Sequence, residues 1–206
     1  MSVEKAYNSW AKTYDDVENK TRDLEELAAR TKLQDQYNHI LELGCGTGKN
    51  TSWLSKQAQE LTALDFSEEM LAKAILKVNR TNVNFIKTDL QKDWPVASNK
   101  IDLITCSLVL EHFKDLDLIF KQAYDLLISN GEFFLCELHP FKQYSGSKAR
   151  FENGNNIEVL ETYTHHISDY IDSAKKAGFK LKDLDEWFDE NDRNEIPRLI
   201  SFVFKK

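Results

Sequence analysis

The sequence predicts an α/β fold: one doubly wound, mostly parallel seven-stranded sheet, preceded by two helical segments. Three observations predict it. The apolar run Ile40–Leu43 breaks into Gly44, Gly46 and Gly48 and is followed by a helical pattern. Strand, glycine turn and helix is how an open parallel sheet begins, with a ligand over the turn against the helix N-terminus. Four further short apolar runs then alternate with helix-period segments, which is βα order. Finally, an acidic residue follows each of the next two runs, Asp65 and Asp89, on the strand edge where open sheets bind ligands.

The elements follow in order. Tyr7, Trp10, Ala11, Tyr14 and Val17 fall on one face of a first helix, and residues 21–33 form a second, with Leu24, Leu27 and Ala28 inward. After the glycine loop, residues 50–58 read as a helix and Leu61–Leu64 as a buried strand ending at Asp65. Ser67 is placed to cap the next helix, with Glu68 and Glu69 at its positive end. Met70, Leu71, Ala74, Ile75 and Val78 are that helix's apolar stripe. Strands follow over residues 82–87 and 101–106. A long helix carrying Leu116 to Leu127 ends at Asn130-Gly131, and the fifth strand spans 132–138. A helix over 168–177 stops at Gly178, and residues 179–187 and 198–204 are the last two strands.

The 206 residues make one domain, with a net charge of -7 and no strongly basic stretch. A phosphate-backbone footprint needs clustered Lys and Arg, so nucleic acid is not the expected partner. No apolar run approaches the ~20 residues that span a bilayer, so no membrane association is expected. Residues 1–5 lack an apolar signal core. Cys45, Cys106 and Cys136 stand alone in apolar contexts, as structural thiols in a reducing cytoplasm. His165-His166 lack an acidic or thiol partner spaced to complete a shell, so no metal is expected.

The glycine spacing is G-x-G-x-G with Lys49 next, not the dinucleotide G-x-G-x-x-G. Glu42-Leu43-Gly44-Cys45-Gly46-Thr47-Gly48 resembles motif I of the class I S-adenosylmethionine (SAM)-dependent methyltransferases, in their small-molecule branch. The resemblance covers about residues 40–178. It implies a Rossmann-like methyltransferase fold whose final strand runs antiparallel between the fifth and sixth, with the first 35 residues as cap helices. It implies SAM as cofactor, with S-adenosylhomocysteine (SAH) as product.

Asp65 lies 21 residues after Gly44, about the offset at which a carboxylate accepts from a ribose hydroxyl pair. The resemblance places Asp89 and Leu90 at the adenine and Met70 beside it, although Met70 also suits the core. It further assigns Glu42, Gly44, Cys45, Gly46, Phe66, Cys106 and Ser107 to the cofactor. Tyr14 is expected on the cofactor as part of the cap, and Trp10 on the acceptor side. Where base-directed amino methyltransferases carry Asn/Asp-Pro-Pro-Tyr/Phe, this chain has Ser107-Leu108-Val109-Leu110. That departure speaks for a small-molecule acceptor, with His112 among its contacts or purely structural.

His139, at the carboxyl end of the fifth strand, is the best-placed titratable group for the acceptor, and His165 the second. Residues 140–166 are polar and aromatic and read as a substrate-covering insertion, with Asn153-Gly154 as a hairpin turn. Within it Tyr144, Lys148 and Arg150 are candidate acceptor contacts, and the last two would select an anionic acceptor if they face inward. The expected activity is O- or N-methylation of a small molecule. A nicotinamide-dependent oxidoreductase and a non-catalytic SAM-binding partner subunit are the alternatives. Oligomeric state is unread.

Overall fold

The computed structural model describes residues 3–97, 100–147, 150–153 and 156–206. After α1 (Val3–Trp10) and α2 (Lys20–Lys32) come β1 (Tyr37–Leu43), α3 (Lys49–Leu54), β2 (Ala58–Asp65), α4 (Glu68–Val78), β3 (Val83–Lys87) and β4 (Ile101–Ser107). A 3-10 turn (Leu110–His112) leads to α5 (Asp117–Leu126), β5 (Leu127–Leu138) and α6 (Pro140–Tyr144). The hairpin strands β6 (Arg150–Asn153) and β7 (Asn156–Val159), then α7 (Ile167–Ala177), β8 (Lys180–Trp187) and β9 (Leu199–Lys205) complete the chain. The seven-stranded sheet has the order β3-β2-β1-β4-β5-β9-β8. Strands β1 to β5 pair in parallel, and β9 lies antiparallel between β5 and β8. This is the expected sheet. No helix among the described residues is long and apolar enough to cross a membrane.

Both faces of the sheet are covered, so its central strands are apolar without a polar side. Side chains still alternate: Leu41, Leu43 and Ile104 enter one core with Phe120 of α5 and Tyr170 of α7. Ile40, Ala63 and Leu103 enter the other with Ala28 of α2, Trp53 of α3 and Leu71 of α4. Helix ends follow side-chain chemistry. The Asn19 side chain accepts from the Thr21 and Arg22 N–H groups at the start of α2, and Ser67 Oγ accepts from Met70 N–H at the start of α4. Gly178, at φ +110°, ends α7.

Four local expectations fail, one of them in α4, where Ile75 of the expected apolar stripe is 52% exposed. The first helix stops at Trp10, and residues 11–17 run on as turns that leave Val17 58% exposed. Leu27 also faces solvent, because α2 turns Glu25, Ala28 and Ala29 inward instead. Asn130-Gly131 does not end a helix: α5 already ends at Leu126, and Leu127 pairs with Ile101. Asn130, at φ +68°, makes an irregularity inside β5, where its N–H donates to the Lys206 carbonyl. Gly154, half of the expected hairpin turn, lies outside the described residues, although β6 and β7 do pair antiparallel.

Candidate active site

At the carboxyl edge of β1, β2 and β4 lies a cavity of about 190 Å³. Its floor is the glycine turn. Gly44 N–H and Cys45 N–H both donate to the Leu64 carbonyl, at 2.8 and 3.0 Å, which folds the end of β1 onto β2. Gly44 has φ +69°, and a Cβ there would fall 2.3 Å from Val109 Cγ2. Only glycine fits. Gly46 has φ +53°, and a Cβ on it would meet nothing within 4 Å, so the open space stands directly over this residue. Asp65 joins the two sides of the floor: its Oδ2 accepts from Gly46 N–H and its Oδ1 from Ser67 N–H, each at 2.8 Å.

The cavity gathers most of the expected cofactor residues. Glu42, Gly44, Cys45, Gly46, Asp65 and Phe66 line it, as do Tyr14, Met70, Asp89, Leu90 and Ser107. Cys106 does not. It is 1% exposed in the core, because the strand alternation sends Thr105 and Ser107 to the cavity and Cys106 to the opposite face.

The acceptor-side expectations fare less well. His112 lines the cavity, but Trp10 does not and packs against the Tyr7 and Tyr14 rings. Tyr144 is exposed and its hydroxyl meets His166 Nδ1. Lys148 lies outside the described residues, and of Arg150 only the backbone, in β6, is described.

Neither expected base reaches the cavity. His139 is fully buried. Its Nδ1 accepts from Phe141 N–H at 3.1 Å, and its Nε2 lies 3.1 Å from Glu186. Being at the strand's carboxyl end was the right edge but the wrong direction. His165 is buried beneath the 3-10 turn, where its Nε2 donates to the Leu110 and Phe113 carbonyls at 3.2 and 2.7 Å. Both imidazoles hold backbone in place.

Residues that sequence reasoning did not single out complete the cavity. Tyr7 of α1 enters it, and its hydroxyl is 2.9 Å from His112 Nε2. The other nitrogen of His112, Nδ1, faces the Glu161 carbonyl at 3.4 Å. A carbonyl can only accept, so Nδ1 carries the proton and Nε2 is left as the acceptor of the Tyr7 hydroxyl. Burial lowers the pKa of His112 and raises that of Tyr7 far above a free phenol. The pair is therefore a neutral phenol on a neutral imidazole. At the other end α2 contributes Arg22 and Glu25. A sequence signal for these existed only in the polar residues on the inward face of α2.

The charge balance of this cavity is unusual. Burial pushes Asp65 up to about 6 and Glu42 up to about 8, and it also raises Glu25. These shifts persist although Gly46 and Ser67 N–H groups hold Asp65 and the Thr51 hydroxyl donates to Glu42 at 2.6 Å. Against them stand Arg22 and Lys49, and Lys49 is occupied by Asp23, Glu26 and the Arg22 carbonyl. The lining thus favours a ligand that brings positive charge. Two buried polar atoms on lining residues, Arg22 Nε and Thr105 Oγ1, have no protein partner, so the wall also holds unmet hydrogen-bonding capacity. A sulfonium-bearing adenosyl amino acid fits this cavity in charge, in its open floor above Gly46 and in its paired-oxygen acceptor at Asp65.

Comparison with known proteins agrees. Residues 41–135 match a family described as a methyltransferase domain. A ubiquinone biosynthesis O-methyltransferase of Coxiella burnetii is 28% identical over 156 residues, covering 71% of this chain and 65% of the relative. The chain thus spans about two thirds of the length of that relative. A putative SAM-dependent methyltransferase from Listeria monocytogenes superposes with a TM-score of 0.77 at 20% identity, covering 89% of this chain and 97% of the other. The SAH complex of DhpI superposes with a TM-score of 0.76 at 21% identity, covering 97% and 93%.

Two predictions follow from the geometry. Glu42 has a higher pKa folded than unfolded, so the folded state holds its proton more tightly. Stability of the ligand-free protein therefore falls as pH rises from the ordinary carboxyl range through about 8. Glu42→Gln should remove that part of the fall, seen as melting temperatures that converge with wild type near pH 4 and exceed it at pH 8–9. His139→Ala should lower the melting temperature while calorimetry shows SAH binding unchanged within about twofold, since the ring touches no cavity surface. Residues 41–135 thus match a methyltransferase domain, and the chain shares the fold of known SAM-dependent methyltransferases around this cavity.

Proposed function

We propose that the protein transfers the methyl group of SAM to a hydroxyl oxygen of a small molecule. The observation that carries this reading is the juxtaposition of an adenosyl-type floor, built by Gly46 and Asp65, with a neutral proton-accepting pair, Tyr7–His112, on the same cavity. The O-methyltransferase name of the Coxiella relative supports oxygen as the acceptor atom.

When bound, SAM supplies a methyl already attached to a good leaving group, so the protein's work is positioning, water exclusion and proton removal. Positioning of this kind contributes on the order of 7–11 kcal/mol to lowering a barrier. Asp65 would receive the ribose hydroxyls on its remaining lone pairs, and Asp89 with Leu90 would hold the adenine. Arg22 would bind the cofactor's carboxylate, and Glu25 and Glu42 its ammonium. Tyr14 and Phe66 line the space between with aromatic surface, which favours a cation by about 0.5–2 kcal/mol. Leu108, Val109 and Phe113 supply an apolar wall.

A hydroxyl must lose its proton as it is methylated, and His112 Nε2 takes it through the Tyr7 hydroxyl. The imidazolium that forms keeps its Nδ1 proton on the Glu161 carbonyl. Such a base contributes roughly 10²–10⁴-fold. His112 and Tyr7 thus take the role that sequence reasoning gave to His139 and His165. The Tyr163 N–H donates to the Glu111 carbonyl at 2.7 Å, which anchors the segment before α7 beside the 3-10 turn on the acceptor side.

Calorimetry with SAH, SAM and NAD tests the cofactor half: SAH and SAM bind and NAD does not. Asp65→Ala should weaken SAH by roughly 1.5–3 kcal/mol, about ten- to a hundredfold, for loss of hydrogen bonds to a charged group. An unchanged dissociation constant removes Asp65 from the site. For the acceptor half, label transfer from methyl-tritiated SAM to a panel of phenols and alcohols should rise with pH. The midpoint should lie below the 6.5 of a free imidazole, because the neutral base is the active form. His112→Asn should abolish that pH dependence and lower turnover more than SAH affinity, whereas equal losses in both would make His112 a purely structural residue.

A further inference from the structure

Glu137, near the end of β5, is a buried carboxyl with no place in the chemistry above. Its side chain is 1% exposed, and burial pushes its pKa up to about 8. Its Oε1 accepts from two successive backbone N–H groups, Val109 at 3.1 Å and Leu110 at 3.0 Å. These are the first free donors of the 3-10 turn Leu110–His112. They would be orphaned without it, since no side chain of the turn's own cap residue reaches them.

The tie reaches the cofactor floor in two steps. The segment leaving β4 bends sharply at Leu108, whose φ is +56° and whose N–H donates to the Cys136 carbonyl at 2.9 Å. This bend lays the Val109 methyls over the Gly44 backbone, at the spot where a Cβ on Gly44 would sit 2.3 Å from Val109 Cγ2. Gly44 opens the turn that presents Gly46 N–H to Asp65. From below, His165 holds the same 3-10 turn by the carbonyls of its first residue, Leu110, and of Phe113 just after it. The wall of the cavity is thus fixed at its amides by one strand and at its carbonyls by His165, in the segment leading to α7.

We propose that Glu137 is a positioning residue for the cofactor site: by accepting both amides it seats Val109 on the glycine turn and so sets the affinity for the adenosyl ligand. A glutamate suits the task because one oxygen lies between two adjacent N–H groups and accepts from both, which a hydroxyl or an apolar side chain of that length does not. The inference rests on the SAM-binding reading above.

The test measures SAH dissociation constants by calorimetry for wild type, Glu137→Ala, Glu137→Gln, Val109→Ala and the Glu137→Ala/Val109→Ala double variant. Glu137→Ala should weaken SAH about tenfold, the usual scale for leaving buried donors unpaired. Glu137→Gln, whose amide oxygen accepts from the same two N–H groups, should stay within about threefold of wild type. Val109→Ala should also weaken binding, and the double variant should be no weaker than the poorer single one, because both changes break one chain of contacts. Wild-type-like affinity in Glu137→Ala, a Gln variant as weak as the Ala variant, or additive losses would each overturn the proposal. If Glu137→Ala does not fold, Val109→Ala decides alone, and undiminished SAH affinity there overturns it. No SAH binding by wild type would instead refute the SAM-binding reading itself.

Discussion

The pair of 2.8 Å hydrogen bonds from Gly46 N–H and Ser67 N–H to the two oxygens of Asp65 is the constraint on which the site depends. It closes a loop between the first and second strands at their carboxyl ends, fixing the glycine turn relative to the start of α4. At Gly44 the left-handed backbone leaves no room for a Cβ, and the turn is held in one conformation because Asp65, the Leu64 carbonyl and Val109 all act on it. The same carboxylate keeps lone pairs toward the cavity. In the proposed function, structure and ligand recognition share this one side chain.

Burying Asp65, Glu42, Glu25 and Glu137 around one region has an energetic consequence. Each of these carboxyls holds its proton more tightly folded than unfolded, so each opposes folding as pH rises. A chain selected for stability alone would place apolar or amide side chains there. The cost becomes useful where a cation arrives, because a buried carboxylate is worth more to a positive ligand than one in water. Glu137 differs from the other three: it lies behind the wall and its oxygen is committed to backbone, so its cost is incurred for geometry.

How much of this was legible in the chain depends on whether the deciding interaction is local. The seven strands, the glycine turn, the Ser67 cap and the Gly178 stop are each written in a few consecutive residues, and the structure has them all. The Asn130-Gly131 stop was misread because a left-handed Asn serves a strand irregularity as well as a helix end, and only the pairing of Leu127 with Ile101 decides between them. His139 sits at the carboxyl end of β5, but its ring is turned toward Glu186 of β8 and its N–H toward the Arg198 carbonyl just before β9, both at the far end of the chain. Cys106 was recoverable, since period-two alternation opposes it to Thr105 and Ser107. Tyr7, Arg22 and Glu25 were not, because what brings them to the cavity is the packing of α1 and α2 over the sheet.

The cover and the floor of the cavity are held by different kinds of bond, and the contrast follows from where they lie. The N-terminal segment is fastened partly at the surface, by Asp15 to Lys77, by Lys73 to the Lys12 carbonyl and by Glu4 to Lys87, and partly inside, by the Ser67 hydroxyl on Asn8 Oδ1 and the buried Ala6 and Ala11. Exposed ion pairs of this kind are worth about 0–1 kcal/mol each. The floor is fastened by buried backbone donors on carboxylates, whose loss costs more because the orphaned group has no water to turn to. Tyr7 belongs to the cover and His112 to the wall, so their hydrogen bond is where the two meet. In the proposed function the proton-accepting pair needs α1 over the cavity, so access for the acceptor and assembly of the base involve the same segment, above the floor built on Gly46 and Asp65.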